Sequence, residues 1–118
     1  MVKPVRIQLS RKKGFDLQAH SRALNGLDAV NCARPGKWGN PFIIGVEFLG
    51  QRMTLQRSIA LFRSRIQDYA MLSTSIVPEL RGKNLACWCI IHDINGLRVP
   101  CHADVLLEIA NRPEKVNV

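Results

Sequence analysis

Three of the four cysteines of this chain fall between Lys83 and Asn111, as Cys87-Trp88-Cys89 and, after an intervening stretch that holds His92, Cys101-His102-Ala103-Asp104. No other feature restricts the fold as tightly. Read as a strand, Leu85 to Cys89 sets Cys87 and Cys89 on one face and Trp88 on the other, because strand side chains alternate. Read as a helix, His102 to Ala110 gathers Val105, Leu106 and Ile109 on one stripe, with Cys101 at its N-terminal end. Free backbone N–H groups and the positive end of the helix dipole favour a thiolate there. A strand that ends in thiols and a helix that opens with one bring sulfur to a single spot.

The length of 118 residues predicts one domain, spanning 1–118, large enough for a core without covalent staples. Its 47% hydrophobic and 22% charged residues are those of a folded globular protein. No window holds the roughly 18–20 apolar residues needed to cross a bilayer, and Met-Val-Lys-Pro-Val-Arg has no apolar signal core. The expectation is an intracellular protein without a membrane partner, in which cysteines serve as metal ligands, reactive thiols or buried apolar groups rather than disulfides.

Charge narrows the partner. The net charge is +8, and residues 1–40 carry eight cations against only Asp16 and Asp28. An anionic partner fits: nucleotide, phosphorylated substrate or nucleic acid. A merely solubilising surface fits as well.

Along the chain, Val5 to Leu9 alternates and reads as a strand, followed by the cationic turn Arg11-Lys12-Lys13-Gly14. Residues 15–28 are weakly patterned, with His20 expected at the surface, and Ala29 to Ala33 reads as a second strand. Arg34-Pro35-Gly36-Lys37-Trp38-Gly39-Asn40-Pro41-Phe42 is a rigid, non-repetitive loop. Its cations suit phosphate, its indole suits a stacked ring, and Asn40 suits hydrogen bonds to that ring. Anchoring of the loop by Trp38 and Phe42 explains the same residues equally well. Phe42 to Leu49 reads as a strand, and Thr54 as the cap of a helix over about 55–71, with Leu55, Ile59, Phe62, Ile66 and Tyr69 on one face. A short helix over Ser75 to Leu80, a strand, a hairpin at Asn95-Gly96 and a last helix halted near Pro113 complete the order. This alternation predicts a small α/β fold of two or three layers with a mixed or mostly parallel sheet. Ligands in such folds gather at the carboxyl ends of the strands.

The cysteine cluster admits three readings. In the first, Cys87, Cys89, Cys101 and His102 bind zinc, whose preference for thiolate and imidazole they match. The C-x-C spacing is not that of a routine finger, so three ligands with an open position are easier to build than four, and His92 or Cys32 is a further candidate. In the second, Cys89 or Cys101 is a nucleophile activated by the helix terminus and His102, with Asp104 orienting the imidazole, or the paired thiols exchange redox state. In the third, the cysteines are buried apolar groups.

The segments Arg6-Ile7-Gln8-Leu9, Arg34 to Phe42, Arg81 to Cys89 and Cys101 to Leu107 together resemble domain-of-unknown-function family 4326, over roughly residues 5–111. The resemblance implies a bacterial or phage protein, hence a bacterial or host-cell cytoplasm, and brings no established activity with it. The connection between the Cys-Trp-Cys and Cys-His segments is longer here than the family pattern leads one to expect, which fits an inserted hairpin.

These readings converge on a small basic protein that binds a nucleotide or nucleobase-like ligand, with or without turnover. Arg11, Arg34 and Lys37 would meet phosphate, Trp38 and Asn40 the ring, and Cys89, Cys101, His102 and Asp104 would form the reactive end. The alternatives are a zinc-stabilised nucleic-acid-binding module without catalysis and a phage or host interaction protein acting through its surface.

Overall fold

A computed structural model describes residues 2–67 and 77–112. Its elements are β1 (Arg6–Gln8), α1 (Leu17–Asn25), β2 (Ala29–Asn31), β3 (Glu47–Phe48), β4 (Gln51–Arg52), α2 (Leu55–Gln67), α3 (Val77–Leu80), β5 (Asn84–Cys87) and α4 (His102–Ala110). The expected residues of α2 beyond Gln67, Tyr69 among them, lie outside the described residues, as do Ser75 and Ile76 of the expected short helix.

The fold is a small α/β structure built on a three-stranded parallel sheet of order β1-β5-β2, with a separate antiparallel pair β3-β4. β5 is central, and all four of its residues are buried, as expected of a parallel strand covered on both faces. Alternation sorts its side chains. Leu85 and Cys87 point to one side, into a core with Phe62 and Ile66 of α2, Leu80 of α3 and Val105, Leu106 and Ile109 of α4. Ala86 points to the other, with Ile7, Leu9, Ala29 and Ala33, closed by Phe15 and Leu17. The sheet is therefore the middle of three layers.

Helix α1 is the element the sequence hides. Its caps are ordinary: Asp16 accepts from Ala19 N–H, and Gly26 closes the C-terminus with φ of 81°. The inner face is polar, however. Buried Ser21 meets Asn84 of β5, and Asn25 and Asn84 exchange amide hydrogen bonds of 2.8 and 2.9 Å. Every polar group on that seam has a partner, so burial costs little, but no apolar stripe betrays the helix.

Phe42 to Leu49 is not the strand that its apolar run predicts. Gly45 has φ of 88°, and only Glu47–Phe48 pairs, with Gln51–Arg52, across a turn in which Leu49 and Gly50 both have positive φ. The predicted hairpin in the later loop shrinks to one bridge, His92 to Arg98, around an Asp93-centred turn. Thr54 does cap α2, accepting from Arg57 N–H at 3.2 Å.

Candidate functional site

The carboxyl ends of all three parallel strands open on one cavity of about 430 Å³. Arg11 follows β1, Ala33 and Arg34 follow β2, and Cys87, Trp88 and Cys89 end β5, with Cys101 and His102 of α4 beside them. This is where an open α/β sheet leaves its backbone groups and loops free to meet a ligand. Phe42, Ile43, Ile44, Leu55 and Ile59 supply the apolar wall.

The floor is sulfur. The Sγ atoms of Cys87, Cys89 and Cys101 all lie within 4.8 Å of one another, and Cys87 and Cys101 are 3.2 Å apart. β5 stops at Cys87, and the bend that follows still delivers Cys89 to the same side, as alternation predicts. Cys101 arrives as the N-cap of α4. Its Sγ accepts from Ala103 N–H at 3.3 Å, while Asp104 accepts from Cys101 N–H at 3.0 Å, a capping box with sulfur where serine usually stands.

Without a metal the three thiols share one negative charge, and it rests on Cys89, the exposed one. Hydrogen bonds from Cys101 and then Cys87 draw the Cys89 thiol down to about 2, against the opposing cost of burial and with help from the Arg6 charge. Cys101 is pushed up, because it donates toward Cys87 and Cys89 and is buried. Cys87 feels a downward pull from Cys101 but ends at about 11, raised by donation to Cys89 and by burial. The helix terminus alone therefore does not make Cys101 the thiolate.

His102 stands next to this group and outside it. Its Nε2–H donates to the Cys32 carbonyl at 2.7 Å, which leaves the Nδ1 lone pair facing Cys101 Sγ at 3.7 Å. Burial lowers its pKa, so the ring is neutral. The orienting partner is thus a backbone carbonyl. Asp104, expected in that role, is engaged elsewhere: it pairs with Arg6 at 2.5 Å and Arg98 at 2.7 Å and caps Cys101. Cys32 itself, sealed in the core with its thiol raised to about 12 by burial and then by Cys101, contributes its carbonyl and not its sulfur. His92 is exposed in the later loop and joins no ligand group.

Arg6 is the residue that sequence reasoning counted only as charge. Its side chain is 0% exposed, held by Asp104 and by the Ile90 carbonyl at 2.8 Å, and its positive field favours the Cys89 thiolate. The available signal was its place beside Ile7 in a strand: alternation sends the two to opposite faces, and in a sheet covered on both sides a charge on either face is buried.

The rigid loop divides. Arg34 and Asn40 line the cavity, although the Asn40 amide ties the loop to α2, donating to Ser58 Oγ, and accepts from Phe42 N–H. Trp38 does not line the cavity. It lies in the core at 5% exposure, with Lys37 over its ring and paired to Glu79. The indole that does line the cavity is Trp88, 45% exposed, with the Arg11 guanidinium 4.7 Å from its ring centre.

Fold and floor together define a small α/β domain carrying a three-thiol cluster at the carboxyl ends of a parallel sheet. The chain belongs to the family described as a domain of unknown function, DUF4326, which matches residues 8–112. No curated protein matches the chain, and no solved structure does. Among the described residues no helix is long and apolar enough to cross a membrane.

Proposed function

We propose that this chain is a metal-thiolate protein, in which Cys87, Cys89 and Cys101 hold a zinc ion at the floor of a small-molecule cavity. The observation that carries the reading is the convergence of three sulfur atoms within 4.8 Å from two separate elements. Tetrahedral zinc places its thiolates about 2.3 Å from the metal, so sulfurs at this spacing need little movement to close on one ion. Two further features support it. Buried Arg6 offsets the negative charge that three thiolates leave on a divalent ion. His102 has the form of an imidazole poised near a metal, with one nitrogen donated to a carbonyl and the other free. Cys87, Cys89 and Cys101 would hold the ion, and with three protein ligands it would supply Lewis acidity beside the cavity.

Elemental analysis of the purified chain tests this. One zinc per chain is expected, falling to below about a tenth in Cys87→Ser and Cys101→Ser and staying stoichiometric in His102→Ala. The close approach of Cys87 and Cys101 also suits a disulfide. A metal-free preparation that is 2 Da lighter than the reduced chain, roughly the mass of two hydrogens, would sink the metal reading.

A further inference from the structure

The wall of the cavity carries a second, independent pattern. Among the described residues Arg6, Arg22, Arg63, Arg98 and Arg112 each face a carboxylate. Arg11 and Arg34 do not, nor do Arg52, Arg57 and Arg81, but of these only Arg11 and Arg34 line the cavity. Arg11 has only the Trp88 ring beneath it, and Arg34 gives one N–H to the Asn40 carbonyl at 3.1 Å. Among the described residues no aspartate or glutamate lines the cavity. Two guanidiniums on a wall without a carboxylate favour an anion there. Two such cations match a dianion better than a single carboxylate, and a phosphate monoester carries about −1.5 to −2 at neutral pH.

The remaining wall describes what the phosphate is attached to. Trp88 offers an indole face, while Ile43, Ile44 and Ile59 offer apolar surface without hydrogen-bonding groups. Ile43 and Ile44 are exposed when nothing covers them. A flat heterocycle fits between these surfaces, gaining stacking on one side and burial on the other. The volume of about 430 Å³ lies at the lower end of small-molecule sites. It suits one nucleotide unit and not a run of several. Asn40 already gives one amide N–H to Ser58 and accepts from Phe42 N–H. The floor and its neighbours Ser58 and His102 supply the other polar atoms of the lining.

We infer that the cavity is a mononucleotide site, with phosphate on Arg11 and Arg34, the base against Trp88 and the isoleucines, and the polar edge of the base toward the thiolate floor. The last of these placements rests on the metal-centre reading; the first two do not.

The test is calorimetric titration of the full chain with the common 5′-mononucleotides, their nucleosides, inorganic phosphate, an aromatic carboxylate and a short single-stranded oligonucleotide. The zinc content of the same sample is measured alongside. At least one mononucleotide is expected to bind about tenfold or more tightly than its nucleoside, than phosphate and than the carboxylate. Arg11→Gln and Arg34→Gln should each weaken it by about tenfold, with Arg34→Lys recovering part of the loss. Trp88→Ala should weaken it and Trp88→Phe restore it, with thermal unfolding confirming that each variant is folded.

No binding by any mononucleotide to a zinc-loaded sample overturns the inference and leaves the metal centre standing. Binding to a zinc-free sample does the reverse. An oligonucleotide or an aromatic carboxylate that binds more tightly than every mononucleotide also overturns it. With cobalt in place of zinc, a change in the visible spectrum on adding the nucleotide is expected, and an unchanged spectrum removes the assigned direction of the base.

Discussion

Two segments of this chain each pair a tryptophan with cations or thiols, and the fold treats them in opposite ways. In Cys87-Trp88-Cys89 the buried thiol of Cys87 and the exposed one of Cys89 meet in the cluster with Cys101, and the indole is 45% exposed on the cavity wall. In Lys37-Trp38-Gly39 the indole is the inward group, 5% exposed among Phe62 and Ile66, and the lysine is outside. The first segment continues from the end of a strand, and the bend at Trp88 and Cys89 keeps the order that alternation predicts. The second has no period, and its tryptophan goes where the core has room. Motifs that look equally chemical thus differ in kind: one shapes a site and the other mostly holds a loop in place.

The sharpest way to break that comparison is to delete each indole. Trp38→Ala empties part of the core and should cost about 3–5 kcal/mol in denaturant unfolding, as large aromatic truncations in cores do. Trp88→Ala removes a half-exposed ring whose partner is Arg11, and should cost less than about 1 kcal/mol. Equal losses would mean that Trp88 also supports the fold and that its exposure had been misread as availability.

The same contrast explains how much was legible in the sequence. Local rules reached the three-thiol cluster, because strand alternation and helix capping act over a few residues and place Cys87, Cys89 and Cys101 without knowledge of the rest. They also gave Thr54 as a cap, the inward face of α2 and the α/β class. They failed wherever a distant partner decides. Asp104 reads as a neighbour for His102, yet Arg6, nearly a hundred positions away in the chain (|i−j| = 98), captures it. Helix α1 escaped because its buried side is Ser21 and Asn25, satisfied by Asn84, and a hydrogen-bonded seam has no hydrophobic period. The run from Phe42 to Leu49 is apolar enough for a strand, but the positive φ angles at Gly45 and Leu49 break it.

A smaller effect probes how the loop holds Arg34 at the cavity. A Cβ on Gly39 would lie 2.8 Å from Arg34 Cα and 2.9 Å from Arg34 Cγ, closer than packed atoms tolerate. Backbone must therefore move. Gly39→Ala should cost about 1–3 kcal/mol, the range for overpacking. Gly36→Ala, whose Cβ would stand 3.1 Å from the Ala33 carbonyl, should cost less. Thermal unfolding of the two variants side by side checks the order. If Gly39→Ala is neutral, the loop is soft and Arg34 is not held by it.

The smallest effect separates the two contacts of Lys37. Its ammonium lies 2.7 Å from Glu79 and 4.9 Å from the centre of the Trp38 ring. Both members of the ion pair are about half exposed, so water and salt screen it and it should contribute no more than about 0.5 kcal/mol. The cation over the indole adds about 0.5–1 kcal/mol at such a site and is less sensitive to salt, because one partner carries no net charge. Glu79→Ala should therefore be nearly silent, with a loss that disappears in high salt, while Lys37→Ala should lose up to about 1 kcal/mol and keep most of that loss in salt. Measured as unfolding midpoints at low and high ionic strength, the difference between the variants isolates what the lysine does for Trp38. Were Glu79→Ala the costlier of the two, electrostatics between the loop and α3, and not the buried indole, would be what fastens this segment to the core.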